Sequence, residues 1–145
     1  MPRKPLDLAV ADLLQSIGLL VRRARAAAGS QDLSLTEGSV MRRLDKDGPA
    51  TTADLARAEG MKPQSMGTTI GALEEMGMVE RKPHPTDGRQ VNIALTGKGA
   101  AVHKSNRDAK RTWLTHAVAQ LNEQERETLF KAGDIIKRLA EGDQQ

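Results

Sequence analysis

Hydrophobic residues near the start of the chain fall at Leu6, Val10, Leu13, Ile17, Leu20 and Ala24, in steps of four, three, four, three and four. That period draws one apolar stripe along an amphipathic helix, which the run Ala26-Ala27-Ala28-Gly29 closes. A helix this long, standing ahead of the compact region, is expected to pack against a partner or a later helix. Ser34 and Glu37 stand at capping-box spacing, with Val40, Met41 and Leu44 following at helical intervals until Gly48-Pro49. Thr51 with Asp54 repeats the start signal for a short helix through Leu55-Ala56 that stops at Gly60. Pro63 then suits a first helical turn, because the N–H it lacks would be unpaired there, and Met66, Ile70 and Leu73 recur at four and three until Gly77. Two short helices around a glycine turn, the second polar at its beginning, form a helix-turn-helix pattern.

After Gly77 the period changes from 3.6 to 2. Val79 and Arg81 alternate on one arm, and Val91, Ile93 and Leu95 on the other, around Pro83-His84-Pro85-Thr86-Asp87-Gly88-Arg89-Gln90. Pro and Asp-Gly between two alternating runs predict a hairpin with a long tip, which in this position is a wing. Thr96 caps a further helix with Val102, Ala109, Trp113 and Ala117 along one side. Asn122 and Glu125 open the last, whose stripe runs through Leu129, Ala132, Ile136 and Leu139.

Composition narrows the function. The 145 residues include no cysteine, which removes disulfides, thiolate catalysis and Cys-ligated zinc together. No apolar window reaches the ~20 residues of a bilayer span and the first eight residues lack the run of a signal peptide, so a cytoplasmic protein without membrane partners is expected. The net charge of +3 is uneven: residues 121–145 carry −2 and residues 1–120 carry +5. A basic body with an acidic end suggests a surface for a polyanion.

The order of elements, with Leu55-Ala56, Lys62-Pro63-Gln64-Ser65-Met66, Leu73-Glu74, Gly77-Met78-Val79-Glu80-Arg81, Asp87-Gly88-Arg89 and Leu95-Thr96-Gly97-Lys98-Gly99, resembles the MarR family of bacterial winged-helix transcription regulators. The fold expected is mainly α: one domain over residues 1–145, with a winged helix-turn-helix lobe at 34–99, a two-stranded β-wing, and helical dimerisation segments at 1–30 and 100–145. In the family the Asp-x-Arg wing tip enters DNA, the aspartate shaping the loop, and Asp87 and Arg89 match it. A basic residue frequent in the middle of the family's recognition helix is here Thr68. Specificity is thereby expected to lean on Gln64 and the wing.

The residues support DNA binding independently of the resemblance. A helix N-terminus offers unpaired N–H groups and the positive dipole end to phosphate, short polar side chains there can reach base edges, and Lys62, Pro63, Gln64, Ser65, Thr68 and Thr69 supply that surface. Gln64 can bond adenine bidentately. Arg89 on a hairpin tip suits a narrow A·T-rich minor groove, with Arg81, Lys82 and His84 along the adjacent phosphates. Gly67 and Gly71, unusual inside a helix, either allow a close approach to DNA or a neighbouring helix or are merely tolerated.

The stripes through Leu13, Ile17, Trp113, Leu129, Ile136 and Leu139 are expected to pair with a second copy, placing two recognition helices ~34 Å apart on a pseudo-palindromic duplex. The function expected is a homodimeric repressor released by a ligand. The rival is a winged-helix protein-interaction module without DNA binding. Small aromatic anions bind many members of the resembled family, and by that analogy Met41 and Trp113 line an effector site, although Trp113 fits packing better. No metal site is expected: His103 and His116 lie 13 apart, ~220° around one helix, with only His84 besides. Neither a nucleophile elbow nor a phosphate loop nor a paired-carboxylate setting is present, so no enzyme and no cofactor are expected.

Overall fold

The computed structural model describes residues 3–29 and 32–142. Its elements are α1 (Leu6–Ala28), α2 (Leu35–Asp47), β1 (Ala50–Thr51), α3 (Thr52–Glu59), α4 (Pro63–Glu75), β2 (Val79–Pro83), β3 (Val91–Leu95), α5 (Gly97–Ala119) and α6 (Glu123–Glu141). None of the helices among the described residues is long and apolar enough to cross a membrane.

Local chemistry sets most of the boundaries. Ser34 accepts from the Glu37 N–H while the Glu37 side chain accepts from the Ser34 N–H, a complete capping box at the start of α2. Asn122 and Glu125 close the same reciprocal pair on α6. Thr51 accepts from the Asp54 N–H and starts α3, which Gly60 ends in the left-handed region at φ 65°.

Two compact units divide the chain, residues 1–110 and 111–145. The first holds the core. Val40, Met41 and Leu44 of α2 meet Leu55 and Ala56 of α3, Met66, Ile70 and Leu73 of α4, and Val79 and Ile93 of the sheet. Each large side chain fully buried there contributes roughly 1.5 to 3 kcal/mol. The predicted four-and-three spacing along α4 therefore marks the face that fixes this helix in the lobe, leaving its other faces available.

The hairpin has the expected arms, in antiparallel register from Val79 opposite Leu95 to Pro83 opposite Val91. The sheet is nevertheless three-stranded, in the order β1-β3-β2, because Ala50 and Thr51 pair with Ile93 and Asn92. Two residues are too few to show an alternation, and Thr51 doubles as the cap of α3, so the sequence signals the helix and hides the strand.

In the second unit the end of α5 and α6 leave much apolar surface open. Leu129, Phe130, Ile135, Ile136 and Leu139 are exposed, whereas Trp113, Val118 and Ala132 are half-buried. In the first unit, α1 has no buried residue; Leu13 is exposed and Ile17 half-buried.

Candidate nucleic-acid interface

Helix α4 begins at Lys62-Pro63 with the N-cap residue extended, and no side chain accepts from the first-turn N–H groups. That turn contains no acid. The positive end of the helix dipole is thus neither capped nor neutralised by α4 itself, and Lys62, Gln64 and Ser65 stand exposed around it. Thr68 is exposed and Thr69 half-buried; their hydroxyls donate back to the carbonyls of Gln64 (3.4 Å) and Ser65 (3.3 Å), each four residues earlier. Those donors are occupied locally, and the oxygens remain acceptors.

Gly67 and Gly71 face open space. A Cβ built on either meets no heavy atom within 4 Å, so no neighbouring helix requires them. Gly67→Ala is expected to raise stability by about 0.5 to 1 kcal/mol through helix propensity, seen as a higher urea midpoint at unchanged m. A change in DNA affinity of that variant would report on the DNA face, since no protein atom is displaced.

The wing tip is held by its own polar groups. His84 Nδ1 accepts from the N–H groups of Thr86 (3.2 Å) and Asp87 (3.1 Å). Asp87 Oδ1 in turn accepts from the Arg89 N–H at 3.0 Å. His84, read from the sequence as lining the phosphate path, therefore also shapes the loop that presents Arg89. The Arg89 side chain is 97% exposed, with the Asp87 carboxylate 3.9 Å away. Arg81 and Lys82 are exposed on β2 and engaged within the lobe, Arg81 with Glu74 of α4 and Lys82 with Glu80, each at 3.3 Å. Any anion approaching Arg81 or Lys82 would compete with a carboxylate at 3.3 Å, whereas at Arg89 the carboxylate lies farther off, at 3.9 Å.

A polar cluster unread in the sequence ties the helix-turn-helix to α2. Glu59, at the end of α3, accepts from Ser39 (2.8 Å) and from Arg43, which also donates to the Ala58 carbonyl at 3.1 Å. Burial pushes the Glu59 carboxyl up, but the hydrogen bonds from Arg43 and Ser39 and the charges of Arg43 and Arg42 outweigh it and hold it below the ordinary 4.5. A lowered carboxyl stabilises the fold fully above its unfolded value and loses that stabilisation as pH falls through the folded one. Wild type is expected to lose stability more steeply than Glu59→Gln below pH 4.5, the gap between them narrowing, as urea titrations at stepped pH would show.

The first unit also contains a cavity of about 580 Å³, walled by residues of α1, α2 and α5 and by Leu33 and Ser34. Met41 lines it. Trp113 does not, and it belongs to the other unit. Arg25, Arg42, Lys46, Arg107 and Lys110 surround the cavity, and among the described lining residues Asp45 is the one acid, 3.7 Å from Arg107 and 3.8 Å from His103. Burial pushes the His103 imidazole down against the opposing pull of Asp45.

Residues 33–91 match the model of the MarR family. An HTH-type transcriptional regulator of Mycobacterium bovis, Mb0904, is 37% identical over 130 residues, covering 90% of this chain and 91% of its own. The chain belongs to the MarR family. A further relative, the HTH-type transcriptional repressor Rv2887 of Mycobacterium tuberculosis, is 31% identical over 110 residues, 75% of this chain and 79% of its own. The crystal structure of RV1404 from the same species superposes with a TM-score of 0.83 at 26% identity, over 99% of both chains. Streptococcus pneumoniae FabT, solved in complex with DNA, shares the MarR fold at a TM-score of 0.75 and 22% identity, over 92% of this chain and 96% of its own. The protein is accordingly a winged-helix transcription regulator.

Proposed function

We propose that this protein is a homodimeric, sequence-specific repressor that reads a pseudo-palindromic operator and is released by a small anionic effector. The observation that carries the DNA reading is the uncapped, acid-free start of α4 with Lys62, Gln64 and Ser65 exposed, in one lobe with a wing whose tip displays Arg89. Backbone N–H groups and Lys62 would hold phosphate, Gln64 would meet base edges in the major groove, and Arg89 would enter the minor groove. Repression is supported by the repressor name of a relative 31% identical. FabT, whose fold is shared, was solved with DNA bound.

Dimerisation is supported by the apolar residues left open on each unit, Leu13 on α1 and Leu129, Ile136 and Leu139 on α6, since exposed apolar rows mark interaction surfaces. Two-fold symmetry would then place two recognition helices one helical turn apart. The effector reading rests on the cavity, whose volume lies in the range of small-molecule sites and whose rim is cationic. An effector acts only through its difference in affinity for the DNA-competent and incompetent states.

The test is to select fragments from random duplex DNA with the purified protein and titrate the recovered sequence at several salt concentrations. A palindromic consensus and a steep fall of log affinity with log salt are expected. Failure to retain any DNA would favour the protein-interaction module instead. Sedimentation should give twice the chain mass, and benzoate at millimolar concentration should weaken the selected complex.

A further inference from the structure

The three carbonyls that link the recognition helix to the wing are all bound from one short segment. Met76 O accepts from Lys98 Nζ at 2.9 Å, Gly77 O from the Thr96 hydroxyl at 2.5 Å, and Met78 O from the Thr96 N–H at 3.0 Å. The same Thr96 hydroxyl accepts from the Gly99 N–H at 2.9 Å and so caps α5 while it holds the end of α4. Lys98 lies against the turn along its length: a Cβ at Gly77 would sit 3.7 Å from Lys98 Cδ.

The last turn of α4 has no basic residue of its own. A cation at a helix C-terminus is favourable because the last carbonyls are unpaired and carry the negative end of the dipole, and a bond from an ammonium to a carbonyl is stronger than a neutral one. Lys98 supplies that cation from another element. At 1.5 Å per residue the 13 residues of α4 span about 20 Å, so Lys98 binds the end remote from Gln64 and Ser65.

We propose that Lys98 is a positioning residue for DNA recognition, setting the pose of α4 through the Met76 carbonyl without itself touching DNA. The proposal rests on the DNA-binding reading above. Loss of the ammonium should let the end of α4 and the start of the wing shift relative to α5. Base contacts need sub-ångström placement, whereas phosphate contacts tolerate such a shift, so operator DNA should suffer and random DNA should not.

The experiment compares wild type, Lys98→Met and Lys98→Arg on the selected duplex and on a scrambled duplex, across a salt series. Lys98 is exposed, so both variants should fold, with circular dichroism as the check. Lys98→Met should bind operator about 3- to 10-fold more weakly, keep its affinity for scrambled DNA and keep the wild-type salt slope, and Lys98→Arg should restore operator binding. An equal loss on both duplexes with a slope smaller by about one would make Lys98 a phosphate contact and overturn the proposal. Unchanged operator affinity would overturn it equally. Wild type that retains no DNA would instead sink the DNA-binding reading, an outcome visible before either variant is made.

Discussion

Gly99→Ala is expected to destabilise the protein by about 3 kcal/mol, the combined scale of an overpacked contact and the hydrogen bonds it would break. The added Cβ would lie 1.9 Å from the Met78 carbonyl oxygen and 2.8 Å from its carbon, both backbone atoms that no rotamer change can move. The start of α5 would have to retreat, and the Thr96 N–H bond to Met78 O and the Lys98 bond to Met76 O would go with it. Gly97→Ala is the control, since nothing lies within 4 Å of its Cβ. Urea unfolding at constant m should separate the two variants by about the full effect; equal midpoints would refute the packing argument.

Arg89→Ala should leave that midpoint unchanged and act on DNA alone. Its side chain is almost wholly exposed and, among the described residues, pairs only with Asp87 at long distance, so its removal should take little from the fold. Binding to the selected operator should weaken by about 1 to 3 kcal/mol, roughly 5- to 150-fold at fixed salt. The loss should be larger on sites with an A·T-rich segment beneath the wing than on G·C-rich ones, because a narrow minor groove concentrates negative potential. Wild-type affinity in the variant, in a titration at fixed salt, would remove the wing from the interface. The two substitutions thus separate the scaffold of the lobe from its contact surface.

What the sequence made legible was local. Ser34 with Glu37, Thr51 with Asp54, and Asn122 with Glu125 each satisfy N–H groups three residues away, and all three starts stand where the pattern put them. The core face of α4 followed from period alone, as did the hairpin from the change of period at Gly77. Interactions that depend on the tertiary fold left no such trace. Lys98 reaches a carbonyl 22 positions back and Ser39 reaches Glu59 across 20, distances at which no spacing rule operates. Met41 and Trp113 show the same limit: family analogy suggested both for an effector site, with packing favoured for Trp113, and of the two Met41 lines the cavity, because cavity membership depends on packing between elements. His84 was legible as a wing residue, while its role as acceptor for two N–H groups depends on how the tip folds.

The placement of Trp113 has a spectroscopic consequence. It is the chain's sole tryptophan, Phe130 is its sole phenylalanine and tyrosine is absent, so the first unit contains none of the three. Intrinsic fluorescence will therefore follow the neighbourhood of α5's end, and the helix-turn-helix core will be optically silent in that channel. Unfolding of Gly99→Ala watched by emission and by far-ultraviolet circular dichroism would give coincident midpoints if both units melt together, and separated midpoints if the lobe melts first. One aromatic side chain makes the cooperativity between the two units directly measurable, without any label.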